Sequence, residues 1–158
     1  MNADRPAKAK PGLALSLKGR ALRCLAAREY SRAELMRKLA PHEETPGQLA
    51  QVLDELQAKD FINESRVVDS VINRRASKFG VARVRHELMG KGLSAEVLAE
   101  ALQALNATEL ERAREVWRKK FRTPAVDAEG RAKQMRFLAA RGFRGEAIRR
   151  VLAQVDED

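Results

Sequence analysis

The sequence predicts an all-α protein: an elongated, curved array of three tandem three-helix repeats that resemble helix-turn-helix units. Composition is the first observation: of 158 residues, 44% are hydrophobic, 34% are charged and only 4% are aromatic. Strong helix formers (Ala, Leu, Glu, Arg, Lys) dominate the chain, and runs of strand-favouring residues are scarce. The second observation is an internal repeat, because ELMGKGLSAEVLAEAL at 87–102 is matched by FLAARGFRGEAIRRVL at 137–152.

Corresponding residues of the two copies, which we call the landmarks of the repeat, are separated by a constant fifty residues. Leucines recur at helical spacing, and Lys91-Gly92 corresponds to Arg141-Gly142. Each copy therefore predicts a short helix, a glycine break and a further helix. Since a three-helix unit of this size buries little surface by itself, we expect neighbouring units to share contacts.

Capping signals predict the helices of the first unit. An apolar stripe from Leu17 to Leu25 indicates the first helix, and Ser31 with Glu34 forms a capping box for the second. Thr45 is predicted to cap the third helix, because Pro46 would then occupy its first position.

The later units carry similar signals. Asn63 is predicted to cap a long helix, and Ser94 to cap the helix after the Gly-Lys-Gly break. Thr108 and Glu111 match a capping box and predict that a new helix begins there. The predicted organisation is listed here in full: a flexible basic tail at 1–15, and repeats at 16–61, 62–107 and 108–158, the last with a short acidic end.

Charge predicts the class of partner. The net charge is +9, with +4 in residues 1–20 and +7 in residues 108–150. Such a balance favours polyanions or acidic protein surfaces. No apolar run approaches the roughly 20 residues of a membrane span, and we expect no signal peptide. The single cysteine, Cys24, fits a reducing compartment, so a cytoplasmic location is expected. We also expect the protein to be a monomer.

Side chains suited to enzymatic chemistry do not converge in the sequence. His42 and His86 are far apart and lack ligand-spaced partners, and Cys24 lies within an apolar stripe. The segment 90–92 lacks the spacing of a phosphate-binding loop. We therefore expect no catalytic residues, no metal and no cofactor.

The helix-break-helix pattern leaves a DNA-binding alternative open, since the second helix of a helix-turn-helix can enter the major groove. In the second unit that helix begins Ser-Ala-Glu-Val, which is a poor base reader. The third unit offers Arg144, followed by Arg149 and Arg150, which suit phosphate contact better than base recognition. The alternative function is therefore a helix-turn-helix protein that binds DNA without the help of another protein.

Basic side chains with few acids between them cluster in the second and third units. We predict that these clusters contact an anionic partner through electrostatic docking. The predicted contact residues are Arg74, Arg75, Lys78, Arg83, Arg85, Lys91, Lys133, Arg136, Arg141, Arg149 and Arg150.

Several ordered motifs resemble the RecX family of recombinase regulators. They are Phe61-Ile-Asn-Glu-Ser-Arg66, Gly80-Val-Ala-Arg-Val-Arg-His-Glu-Leu88 leading into Lys91-Gly92-Leu93, and Lys133-Gln-Met-Arg-Phe-Leu-Ala-Ala-Arg-Gly-Phe143. Earlier in the chain, Ala21–Leu25 and Ser31–Leu35 resemble the first repeat of the family, so the resemblance spans about residues 17–155. Asn63-Glu64 and Val67 depart from the acidic pair and the aromatic residue that are common in the family.

The resemblance implies a non-enzymatic regulator of the RecA recombinase. Such proteins engage the groove of the RecA–single-stranded DNA filament and restrain filament growth, ATP hydrolysis and strand exchange. It also marks Arg66 as a signature residue, which we expect to bond a neighbouring helix end rather than the partner.

Overall fold

The computed structural model describes residues 15–158, and this part of the chain contains eight α-helices, one short 3-10 helix and no strand. The elements are α1 (Leu17–Ala27), α2 (Arg32–Leu39), the 3-10 helix (Ala40–His42), α3 (Gln48–Ala58), α4 (Glu64–Arg75), α5 (Val81–Met89), α6 (Ala95–Lys120), α7 (Ala128–Ala140) and α8 (Gly145–Glu157). The all-α prediction is confirmed. Residues 1–14 of the predicted tail lie outside the described residues.

The helices pack as three triplets around three separate cores. Helices α1, α2 and α3 enclose the first core, and α4, α5 and the first half of α6 enclose the second. The second half of α6 packs with α7 and α8 around the third, where Trp117 is buried. We call these triplets the first, second and third units; the elongated, curved shape of the array stays a prediction.

Helix α6 passes without a break from the second unit into the third. The predicted helix start at Thr108 is therefore wrong. The Thr108 hydroxyl lies 3.4 Å from the carbonyl oxygens of Ala104 and Leu105, so it bonds within the helix instead of capping one. Strong helix formers on both sides carry the helix through the motif. The unit boundary at 107/108 stays a prediction and falls inside α6.

Most of the predicted caps are confirmed. Ser31 forms both halves of its capping box with Glu34, and the side chains of Asn63 and Ser94 cap α4 and α6. Thr45 is an exception, because α3 begins after Gly47, whose φ of +84° sets the entry to the helix. The prediction of a threonine cap there is wrong.

Adjacent units are joined by one type of contact, made twice. A turn in each later unit (90–92 in the second, 141–142 in the third; the docking turns) packs on the start of a helix in the unit before it. Arg37 Nη2 donates to Gly90 O at 2.8 Å, and Ser31 Oγ donates to Lys91 O. At the next junction, the amide of Gly80 donates to Arg141 O at 2.8 Å. The landmarks repeated at an offset of fifty therefore hold the units together.

A carboxylate in each later unit also holds the start of its last helix. Glu64 on α4 accepts hydrogen bonds from the amide and the hydroxyl of Ser94, at 3.0 and 2.9 Å. Glu109 on α6 accepts from the amide and Nε of Arg144, both at 2.6 Å. Glu109 is only 1% exposed. Both carboxylates lie where the helix dipole favours negative charge.

Glu34 makes the first junction sensitive to acid. Burial alone would raise its pKa, but hydrogen bonds from Arg28 and the Ser31 amide, together with the charge of Lys91, lower the pKa below the ordinary 4.5. A carboxylate with a lowered folded-state pKa stabilises the fold fully above its unfolded pKa, and this stabilisation is lost as the pH falls through the folded pKa.

Replacing Glu34 by glutamine is therefore expected to cost about 1.5 kcal/mol of unfolding free energy at pH 7, because hydrogen bonds to a charged acceptor are lost. The difference from the wild type should shrink as the pH falls below 4.5 and through the lower folded pKa. Urea unfolding at pH 7 and pH 3 measures both values. Glu100→Gln, at an exposed position on α6, is the control, and an equal pH response of both variants would contradict the assignment.

Candidate functional site

Three of the eleven predicted contact residues form ion pairs within the chain. Arg74 Nη2 lies 2.7 Å from Glu87 Oε1, and Arg75 Nε lies 3.0 Å from Glu87 Oε2. Lys91 Nζ lies 3.3 Å from Glu34 Oε2, and its side chain is 15% exposed. Lys91 thus takes part in the first junction, whereas Arg74 and Arg75 remain about half exposed.

Six of the predicted residues present charge to solvent without an ion pair anywhere in residues 15–158. Each is exposed, and these residues lie on the second and third units. They are Lys78, Arg85, Lys133, Arg136, Arg149 and Arg150. Their exposure suits the predicted electrostatic docking, because nothing in the described chain neutralises them.

The remaining two predicted residues, Arg83 and Arg141, surround an aromatic ring. The guanidinium carbons of Arg83 and Arg141 lie 4.8 and 5.5 Å from the ring centroid of Phe79. Arg141 also lies 5.1 Å from the centroid of Phe137, over which Lys120 Nζ lies at 5.5 Å. These five residues form a row across the second junction, which we call the aromatic–basic track.

An open groove of about 620 Å³ adjoins one end of this track, where Phe79 and Arg83 form part of its lining. The exposed surface of its lining is mostly apolar. The lining residues are Phe79, Ala82 and Val84 together with Arg75, Arg83, His86 and Glu87. Glu87 is the acidic residue of the lining. Burial would raise the pKa of Glu87, but the hydrogen bond from Arg74 and the charges of Arg74 and Arg75 outweigh burial and lower it. The groove therefore combines apolar walls with an excess of positive charge.

The track is held by contacts that the sequence did not reveal. Arg112 on α6 donates to the carbonyl oxygens of Ala76 and Phe79, at 3.1 and 2.8 Å, and so fixes the end of the α4 segment. Burial lowers the pKa of Arg112, although the negative charge of Glu109 acts to raise it. Sequence reasoning also missed Phe79, Phe137 and Lys120 as site residues. The only signal available was the nearness of each aromatic residue to basic residues in the chain.

Arg66 occupies the position expected of a structural residue. Its Nε donates to Glu29 Oε1 at 3.0 Å and its Nη1 to Asp60 Oδ2 at 2.9 Å, so it ties α4 to the end of α1. Hydrogen bonds from Asn63 and from Arg66 lower the pKa of Asp60. The expectation that Arg66 bonds a neighbouring helix end is confirmed.

The start of α8, where a recognition helix would read bases, is partly used inside the fold. Arg144 is the capping residue of α8, and its Nε is bound to Glu109. Arg149 and Arg150 lie further along the helix and are exposed. This arrangement leaves side chains for phosphate contact and removes one candidate base reader.

Within residues 15–158, no group of three or more His, Cys, Asp or Glu side chains is placed to hold a metal ion. None of the helices in this range is long and apolar enough to cross a membrane.

Comparison with known proteins identifies the family. A sequence model of the first three-helix domain of RecX matches residues 18–56, and one of the third matches residues 107–152. The regulatory protein RecX of Leptothrix cholodnii is 56% identical over 144 residues, which cover 91% of this chain and 92% of the relative. The chain belongs to the RecX family. RecX of Herminiimonas arsenicoxydans is 47% identical, with 92% of this chain and 97% of the relative covered.

A solved structure supports the fold of this RecX-family chain. The crystal structure of RecX from Lactobacillus salivarius superposes with a TM-score of 0.75 at 17% identity and covers 90% of this chain and 96% of its own. The family models match α1 to α3 and the second half of α6 to α8, which are the first and third triplets. The three-helix organisation predicted from the repeat is therefore a family property.

Proposed function

We propose that this chain is a cytoplasmic, non-enzymatic modulator of the RecA recombinase, and mainly an inhibitor. It binds as a monomer in the groove of the RecA–single-stranded DNA filament and restrains filament growth, ATP hydrolysis and strand exchange. Membership of a family of regulatory proteins named RecX supports the proposal. The observation that carries it in this structure is the exposed positive charge of the second and third units, which suits a polyanionic groove.

Docking through such charges needs no catalytic pocket. Exposed ion pairs contribute up to about 1 kcal/mol each and weaken as salt screens them. Several exposed cations acting together reach a useful affinity that responds to ionic strength. A regulator of filament assembly needs this reversibility, because the filament must be able to form again.

Titration of the chain into RecA hydrolysing ATP on single-stranded DNA is expected to slow hydrolysis. Neutralising Lys133 and Arg136 together to glutamine should raise the half-inhibitory concentration about tenfold at low salt, or about 1.4 kcal/mol. The matched control is Arg20→Gln with Arg23→Gln, which removes the same charge from α1.

Two outcomes would contradict this proposal. No effect of the wild-type chain on hydrolysis or strand exchange at several-fold excess would exclude RecA modulation. Much tighter binding to naked duplex DNA than to RecA-coated DNA would favour the alternative, a DNA-binding protein acting without RecA. In that case reversing the charges of Arg149 and Arg150 should weaken duplex binding and reduce its salt dependence.

A further inference from the structure

In the aromatic–basic track, cations converge on two rings and have no carboxylate partner within residues 15–158. Arg28 and Lys38 also lie over a ring, that of Tyr30 in the first unit, but there Arg28 is paired with Glu34. Both ring centroids, those of Phe79 and Phe137, lie within 5.5 Å of the guanidinium carbon of Arg141. The guanidinium carbon of Arg83 also lies near the Phe79 ring, 4.8 Å from its centroid, and Lys120 Nζ lies 5.5 Å from the centroid of Phe137. Aromatic and cationic groups therefore alternate in one row from α5 to α6.

The cations at the centre of the track have no anionic partner in the described chain. Neither Arg83 nor Arg141 has a side-chain hydrogen bond or ion pair within residues 15–158; each contacts aromatic rings instead. A guanidinium that lies near a ring and has no hydrogen-bond partner keeps its N–H donors available for a ligand. The charges of Arg83 and Arg141 thus stay unpaired at one end of a groove of about 620 Å³, whereas Arg75 in the same lining is paired with Glu87.

We propose that the aromatic–basic track binds single-stranded nucleic acid directly, with bases against the rings and guanidinium faces and phosphates against the cationic ends. Non-specific single-strand sites combine a positively charged groove with planar groups on which successive bases stack. Phe79 and Phe137 supply the planar groups, and Arg141, which lies near both rings, supplies positive charge between them. An acidic peptide would use the charge alone and would leave the planar faces without a matching partner.

The scaffold holds this track in place before any ligand binds. Arg112 fixes the carbonyl of Phe79, and the amides of Gly80 and Ala82 donate to the docking turn that carries Arg141. Phe137 packs edge-to-face on Phe121, with ring centroids 5.2 Å apart. Because residues of the second and third units are fixed against each other, little ordering is required on binding.

The inference rests on the proposed function only in placing the strand inside a RecA filament; the contact itself is testable without RecA. Fluorescence anisotropy of a labelled thymidine oligonucleotide measures binding to the full chain. Arg83→Gln with Arg141→Gln should weaken binding at least tenfold and reduce the slope of log affinity against log salt by about 1.4, since each lost phosphate contact removes about 0.7. Arg20→Gln with Arg23→Gln is the control of equal charge.

Stacking is tested separately from charge. Phe79→Leu keeps an apolar side chain in the second core but removes the planar ring, and should weaken binding of the thymidine oligonucleotide about tenfold. The same variant should bind an abasic oligonucleotide of equal length as the wild type does. An equal loss for both oligonucleotides would overturn the stacking contact, and circular dichroism of each variant checks that the fold is intact.

Three results would overturn the inference. The first is unchanged oligonucleotide affinity in the Arg83/Arg141 double variant, and the second is an equal loss in the α1 control. The third is displacement of the oligonucleotide by polyglutamate at the same charge concentration, which would show an acidic-peptide site. Each of these results is compatible with slowing of RecA hydrolysis by the wild-type chain, so the track can fail while the proposed function stands. Conversely, oligonucleotide binding through the track without any effect on RecA would support the track alone.

Discussion

Replacing Gly80 by alanine is expected to lower the free energy of unfolding by about 3 kcal/mol, the upper part of the range for overpacking a close contact. A Cβ at this position would lie 2.4 Å from the backbone atoms of Gly142 and Phe143. Because the atoms in its way are backbone, no side-chain rotation relieves the clash. The docking turn must move away, and the hydrogen bond from the Gly80 amide to Arg141 O is lost with it.

Urea unfolding measures this loss, and Gly47→Ala is the matched control. Gly47 has a φ of +84°, and nothing lies within 4 Å of a Cβ built there. The control therefore pays only the left-handed backbone cost of about 1–2 kcal/mol. Hydrogen exchange should locate the damage of Gly80→Ala at the second junction. A cost for Gly80→Ala no larger than for Gly47→Ala would show that the docking turn is not tightly held.

Gly47 is required by the local backbone conformation, whereas Gly80 is required by a contact with a distant turn. Local requirements of the first kind can be predicted from the sequence, and distant contacts of the second kind cannot. Helix existence, most caps and the breaks at Gly92 and Gly142 follow from local rules, because propensity and capping act within a few residues. The function of the breaks as docking turns did not follow. It depends on contacts across some sixty residues, such as that from Ser31 to Lys91, which no local pattern encodes.

The two wrong local predictions have one cause. Thr108 and Thr45 both match capping patterns, yet each pattern has a competing reading that tertiary structure selects. Helix-forming neighbours continue α6 through Thr108, and Gly47 supplies the start of α3 because its left-handed conformation is open to glycine. A capping motif thus predicts a helix start only where its neighbours favour neither a helix that continues through it, as at Thr108, nor a later start, as at Thr45.

The candidate site was predicted less completely than the fold. Charge counting found Arg83 and Arg141, but it gave the same weight to Lys91, which the structure pairs with Glu34 at the first junction. It also missed Phe79 and Phe137, since a ring's surroundings depend on the packing of separate helices. Whether a basic residue is free for a partner is decided by which carboxylates the fold brings near it.

Glu109→Ala is expected to cost about 2–3 kcal/mol of unfolding free energy, because the hydrogen bonds from Arg144 to a buried charged acceptor at the start of α8 are lost. The Arg144 side chain is 51% exposed, so water can solvate its charge. Glu109 is 1% exposed and accepts both the amide and the Nε of Arg144 at 2.6 Å. Glu109→Gln keeps an acceptor for the amide but loses the ionic contact, so an intermediate cost is expected. Urea unfolding of both variants measures the two contributions.

The second unit supplies the control, since Glu64 performs the same task for Ser94 in a more exposed setting. Glu64→Ala should cost only about 1 kcal/mol, the usual value of a helix cap, because water can replace the carboxylate and the Ser94 side chain still accepts from the Val97 amide. Equal costs at the two positions would contradict the assignment. A larger loss of unfolding free energy at Glu109, with faster hydrogen exchange of the α8 amides, would support the assignment. It would show that a buried carboxylate at a helix start stabilises its unit more than an exposed one does. Because α8 carries Arg149 and Arg150, the same variant should also weaken any partner contact made through those arginines.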